Sequence, residues 1–262
     1  MFFFPLHDDN PTRRRPFLSW ALIAACALVF VWQLSLGADM HAAIAQLGIV
    51  PAALFGNMDG QNLPAWMTIF SSMFLHGGFM HLLTNMLFLW IFGDNVEDCI
   101  GRGKYLGFYL LCGIAAALAQ AGIDPQSRIP MIGSSGAIAG ILGAYLMLHP
   151  FANVRCIVGF FIFFRFINLP AWTILGAWIG LQFFNLGQLD TQQGGPAYVA
   201  HIGGFLAGML LIFFFKQPNI PLFARAHSRA FEVQRVRRSP HLPQRRAAPS
   251  RHAPDNADDA EF

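Results

Sequence analysis

The chain has 262 residues, of which 55% are hydrophobic and only 12% charged, and it carries a net charge of +3. A soluble globular domain typically has about 25% charged residues. The composition therefore excludes an ordinary soluble enzyme and points to a polytopic membrane protein.

In chain order, residues 1–16 form a short polar N-terminal lead that ends in Arg13–Arg15. Phe17–Leu36 is the first apolar stretch. A signal-peptide core is only about 7–15 residues long, so this longer run is expected to be a retained anchor. Long charge-free gaps recur after it, and they place further spans near 79–93 (running on towards 97), 105–122, 134–150, 169–187 and 198–215. Each gap can hold the ~20 residues that a bilayer-crossing helix requires. Residues 37–78 form an outer loop without lysine or arginine. Within it Trp66, Ile69, Phe70, Met73 and Phe74 keep the spacing of an amphipathic helix, too short to span and expected to recline in the outer interface. Residues 156–164 are apolar but bounded by Arg155 and Arg165, so they could dip into the inner leaflet or extend a neighbouring helix. Residues 217–262, rich in arginine and proline, are expected to form a disordered basic tail. The tail could touch anionic lipid. It lacks the interleaved aromatics of a nucleic-acid binder, so no nucleic-acid partner is expected. The expected fold class is an all-α polytopic membrane protein, a six-transmembrane-helix bundle over 17–216 with an interfacial outer loop helix.

Every lysine and arginine except Arg128 falls on one side of these six spans, which predicts cytoplasmic N- and C-termini. Cys26, Cys99, Cys112 and Cys156 then lie in the bilayer or on the cytoplasmic side, where disulfides are disfavoured. Their spacing matches no metal motif.

Polar residues inside membrane spans are functional suspects. Ser135 lies in Gly133-Ser134-Ser135-Gly136, His201 in Ala200-His201-Ile202-Gly203-Gly204, and His81 with Asn85 in His81-Leu82-Leu83-Thr84-Asn85. Helical rise tests whether they share a depth. Ser135 is 15 positions from Pro150 and His201 is 15 from Lys216, so both sit ~22 Å from the inner boundary at about 1.5 Å per residue. His81, 13 positions from Asp94, sits at ~20 Å by the same count. Gly136 with Gly140, Ala139 with Gly143, and Ala200 with Gly204 and Gly208 form small-residue ridges that allow close helix approach. Spans four and six should therefore touch, with Ser135 facing His201. An imidazole beside a serine hydroxyl can take its proton during nucleophilic attack. His81 and Asn85, four apart on one helix face, and the Ser135 backbone N–H are candidate donors to the oxyanion. No aspartate or glutamate lies in the outer half of a span, so a dyad is expected rather than a triad. His76 and His81 lack the spacing of a zinc protease. His76 is expected to structure the loop or line the cavity, and His149 to be structural. Nothing in the sequence requires a cofactor or a metal.

These motifs resemble the rhomboid family of intramembrane serine proteases. The similarity spans about 60–215 and includes Phe74-Leu75-His76-Gly77-Gly78 and Ala200-His201-x-x-Gly204-x-x-x-Gly208. The resemblance implies Ser135 as nucleophile, His201 as general base, His81 and Asn85 at the oxyanion hole, a water-filled cavity open to the outer side, and single-span membrane proteins as substrates. It implies a multi-pass protein in the lipid bilayer, here expected to be a bacterial inner membrane. A catalytically silent rhomboid-like protein that binds or escorts membrane clients is the alternative. A small-solute transporter is disfavoured, because no paired charges lie at mid-membrane and no inverted repeat is visible. The chain departs from the pattern at Met67, where many members have arginine after the loop tryptophan. It departs again at Ala139, where some members place a tyrosine that stacks on the histidine.

Overall fold

The structure is a computed structural model and describes residues 2–160, 163–187 and 197–228. Among the described residues it is mostly helical. Long helices occupy all six expected stretches: α1 (Phe17–Ser35), α5 (Phe79–Ile100), α6 (Arg102–Ile123), α7 (Ser135–Leu148), α8 (Ala171–Leu186) and α9 (Tyr198–Phe215). Three of them, α1, α6 and α9, are long and apolar enough to cross a membrane by length and composition. α5 is as long as α6 but ends in Asp94, Glu97 and Asp98, and α7 and α8 are shorter apolar helices. The segment between α1 and α5 holds the short helices α2 (Met40–Leu47), α3 (Pro51–Leu54) and α4 (Ala65–Ser72). The last of these carries most of the amphipathic stripe.

α7 is the centre of the molecule. All its residues except Ser135 and Leu146 are buried, as expected of a helix that is apolar all round. Its closest neighbour is α9, and glycine permits the approach. A Cβ built on Gly204 would lie 2.0 Å from the Gly136 carbonyl oxygen, and one on Gly208 would lie 1.9 Å from that of Gly140. Lipid offers no hydrophobic drive between helices, so this backbone-to-backbone contact is what joins the pair.

The fold is not purely α-helical. Three antiparallel strands, β1 (Phe2–Asp8), β2 (Asn153–Phe160) and β3 (Phe163–Pro170), form a sheet in the order β1-β2-β3. The described residues of the apolar run between Arg155 and Arg165 do not extend a helix. They lie in β2 and β3, whose antiparallel register runs from Asn153↔Pro170 to Phe160↔Phe163. Their valines, isoleucines and phenylalanines favour a pleated surface, and nine residues are too few to make a span. The N-terminal lead adds the edge strand, with a register irregularity between Pro5 and His7, where proline withdraws an N–H from the ladder.

Beyond β1 the polar part of the lead is also held, with the Asp9 N–H donating to the Asn153 carbonyl at 2.9 Å. At the C-terminal end one expectation needs adjustment. The first part of the expected tail, 217–228, packs on the end of the bundle opposite Ser135. There the backbone N–H groups of Gln217, Phe223 and Ala224 donate to the carbonyls of Cys99, Met147 and Leu148. The arginine- and proline-rich remainder of the expected tail, 229–262, lies outside the described residues. The four cysteines are free and buried.

Candidate active site

Ser135 is the first residue of α7, and the segment before it is held by three backbone hydrogen bonds. Ile49 and Met131 exchange backbone hydrogen bonds of 3.0 and 2.8 Å, and Gly133 N–H donates to the Ser72 carbonyl at 2.9 Å. Gly133 has φ +120°, and a Cβ there would meet His81 Nε2 at 2.8 Å. Glycine is therefore needed both for the turn and for the imidazole beside it. As the first helical residue, Ser135 has a backbone N–H with no intrahelical acceptor.

His201 sits in the first turn of α9. Its Nε2 is 2.9 Å from Ser135 Oγ. Gln120 of α6 accepts from the Ala200 N–H at 3.1 Å and so satisfies one of the orphan donors at the start of α9. Both residues line a cavity of about 600 Å³ with His81, Asn85, Gln120 and Trp178. Among the described residues the charged one on its wall is the exposed Asp124.

The hydrogen bonds locate protons. The Gly77 N–H donates to His81 Nδ1 at 3.3 Å; a backbone N–H can only donate, so the His81 proton is on Nε2, the nitrogen beside Gly133. Asn85 Nδ2 donates one hydrogen to the His81 carbonyl at 2.9 Å and retains a second. His76 is fully buried in the loop before α5. Its Nδ1 donates to the Phe74 carbonyl at 3.2 Å, and its Nε2 accepts from Ser134 Oγ at 3.3 Å. Burial first and the neighbouring His81 second push this ring down to about 4, so it is neutral. Gln33 of α1 clamps the His76 backbone, with Nε2 donating to its carbonyl at 3.1 Å and Oε1 accepting from its N–H at 3.0 Å. His76 thus structures the loop rather than lining the cavity. His149, just past the far end of α7, packs edge-to-face with Tyr145 at 5.5 Å, and its Nε2 lies 3.4 Å from Cys99 Sγ. Among the described residues no group of three His, Cys, Asp or Glu side chains is gathered as metal ligands would be.

The structure thus brings Ser135, His201, His81 and Asn85 to one cavity. It adds two residues that sequence reasoning passed over. Gln182 Oε1 is 2.8 Å from His201 Nδ1, and the Trp178 ring lies 5.6 Å from the imidazole, tilted by 38°. A signal was present. Gln182 is 13 positions from Leu169 at the start of the fifth stretch, which puts it at ~20 Å by helical rise, level with His201.

Residues 64–218 match the Rhomboid domain, a stretch that takes in all four of these polar side chains. The chain is 30% identical over 178 residues to Rhomboid protein 1, mitochondrial, of Saccharomyces cerevisiae, covering 65% of this chain and 44% of that protein. It is 31% identical over 145 residues to RHOMBOID-like protein 5 of Arabidopsis thaliana (55% and 42% covered). It is 32% identical over 143 residues to Rhomboid protease GluP of Bacillus subtilis (55% and 25% covered). The chain spans less than half the length of each of these relatives. They come from a mitochondrion, a plant and a bacterium, so the kinship speaks for a membrane protein and not for one particular membrane. With the matched domain filling more than half of its length, the chain is an integral membrane protein of the rhomboid family.

Proposed function

We propose that the protein is an intramembrane serine protease that hydrolyses peptide bonds in or near transmembrane segments of other membrane proteins. The observation that carries this reading is the 2.9 Å contact between Ser135 Oγ and His201 Nε2 on the wall of a cavity. Ser135 Oγ attacks the substrate carbonyl carbon as its proton passes to His201 Nε2. The oxyanion that forms is met by the Ser135 N–H, by His81 Nε2–H and by the free hydrogen of the Asn85 amide. The imidazolium then gives its proton to the leaving amine, leaving an ester on Ser135. A water molecule attacks that ester, its proton goes to Nε2, and the serine is regenerated. The polar side chains on the cavity wall, His81, Asn85 and Gln120 among them, are where such water is held.

The same reading takes all six long helices as crossings and α4 as the interfacial helix of the outer loop. Both termini face the cytoplasm, which the one-sided distribution of lysine and arginine supports. Single-span membrane proteins are the proposed substrates, and 229–262 is proposed as a solvated basic tail.

Purified protein incubated with a single-span substrate tests the reading. Cleavage is expected for the wild type and is expected to vanish in Ser135→Ala and in His201→Ala. A fluorophosphonate is expected to label Ser135 and nothing in Ser135→Ala. Cleavage that survives both substitutions rejects the dyad. A wild type that neither cleaves nor labels points to the client-binding alternative.

A further inference from the structure

In the proposed mechanism His201 must have its proton on Nδ1, with the lone pair of Nε2 facing the serine. Among the described residues no carboxylate is hydrogen-bonded to this imidazole to set that tautomer, and Ala139 replaces the tyrosine that would otherwise stack on it. Both tasks are met from α8.

The hydrogen-bond chain is determinate. Gln182 Nε2 donates to the Trp178 backbone carbonyl at 3.2 Å. A carbonyl oxygen can only accept, so the amide must turn its NH₂ that way. This leaves Oε1, a pure acceptor, 2.8 Å from His201 Nδ1. Nδ1 must therefore carry the proton, and Nε2 is left to accept from Ser135 Oγ at 2.9 Å. Gln182 is 6% exposed, so little water competes for its oxygen. Trp178 is one turn earlier on the same helix face and packs on the imidazole at 5.6 Å and on Phe205 at 6.2 Å, which limits rotation of the ring.

We propose that Gln182 is a positioning residue that fixes the reactive tautomer of His201, extending the dyad to a Ser135–His201–Gln182 chain in which the third member is a neutral amide. Trp178 holds the plane of the imidazole in place of the missing tyrosine. This inference rests on the proposed protease function for its consequence in rate. The tautomer itself is a property of the resting protein.

The test compares Gln182→Met, which keeps the length and loses the acceptor, with Gln182→Glu, which keeps an oxygen acceptor. Gln182→Met is expected to lower both the fluorophosphonate labelling rate of Ser135 and kcat by about 10- to 100-fold, the range seen when a metal-bound imidazole loses the group that orients it, with KM little changed. Gln182→Glu is expected to recover most of that loss. In protein labelled with ¹⁵N-histidine, the His201 signals (assigned by their loss in His201→Ala) are expected to show protonated Nδ1 and bare Nε2 in the wild type, and a tautomer mixture in Gln182→Met. Three results each overturn the proposal: wild-type labelling by Gln182→Met, a Gln182→Glu as slow as Gln182→Met at equal melting temperature, or a wild-type proton on Nε2. If the wild type neither cleaves nor labels, the protease reading falls, and the nitrogen shifts still decide whether Gln182 sets the tautomer.

Discussion

The two ends of the bundle hold their hydrogen-bonded polar groups in opposite ways. Around the cavity the groups are neutral: His76, His81, His201, Asn85, Gln120, Gln182 and Ser134 each place a donor against an acceptor. At the far end the acceptors are carboxylates. Glu97 accepts from the Leu18 and Ser19 N–H groups at 3.1 and 2.8 Å and from Ser19 Oγ at 2.9 Å. Asp8 accepts from Tyr145 and Asn95, and Asp9 accepts from Asn153 and Ser228. The difference follows from what each end must do. A reacting site changes charge during turnover, and neutral partners let the imidazole take and release a proton. At the far end Glu97 gathers several donors, and a bond to a charged acceptor is the stronger kind.

The largest expected effect comes from forcing the helices apart at the site end. Gly204→Ala puts a methyl group 2.0 Å from the Gly136 carbonyl oxygen, so α9 must retreat from α7 by ~1 Å or more. A misplacement of that size can cost about 100-fold in rate, and Ser135 labelling is expected to fall by about that factor. Gly107→Ala on α6, where nothing lies within 4 Å of the new methyl, is the control and should leave labelling unchanged. Equal labelling of Gly204→Ala and the control would mean that the close contact does not set the Ser135–His201 distance.

That same contact shows why some of the molecule could be read in advance. Helical rise is constant and small-residue ridges repeat every four positions, so depth and facing for Ser135 and His201 were legible from a single sequence. Gln182 obeyed the same arithmetic, but its helix carried no motif to draw the eye. The hairpin from Asn153 to Pro170 was not legible, because a short apolar run has no period that separates strand from helix. The edge strand was harder still: Phe2–Asp8 pairs with residues about 150 positions away, and no local pattern encodes so distant a partner. Residues 217–228 look like tail by composition, yet their backbone is fixed by carbonyls that earlier helices leave open at their ends.

A second, smaller effect tests whether the two ends are independent. Glu97→Ala strands two donors, the first-turn N–H groups of Leu18 and Ser19 in α1, while Ser19 Oγ keeps the Tyr105 hydroxyl at 3.0 Å, and a hydrogen bond to a charged group is worth roughly 1.5–3 kcal/mol. We expect a loss of about 3 kcal/mol in stability, read as a lower melting temperature in detergent. The labelling rate per folded molecule should stay within about two-fold of wild type, because distant sites with no shared partners act additively. A loss of labelling comparable to that of Gly204→Ala would show that the carboxylate end governs the site.

The smallest effect is a pH dependence whose sign differs between groups. His76 is held near 4 by burial and by His81, against about 6.5 for an unfolded chain. Between those values the unfolded chain binds a proton that the folded one refuses, so this ring makes stability fall as pH drops from 6.5 towards 4. Asp8 acts the other way. Burial of its carboxyl first and the nearby Asp94 second raise it well above its ordinary value, so its contribution is present at low pH and is lost as pH rises. In melting temperatures measured from pH 7.5 down to 4.5, His76→Gln should flatten the acid-side decline, each proton being worth at most about 1.4 kcal/mol per pH unit. Asp8→Asn removes the opposing contribution and should steepen that decline. A wild-type profile in His76→Gln would show that the neutral ring under the site is not the acid-sensitive group, and a flatter profile in Asp8→Asn would reverse the assignment of sign at the far end.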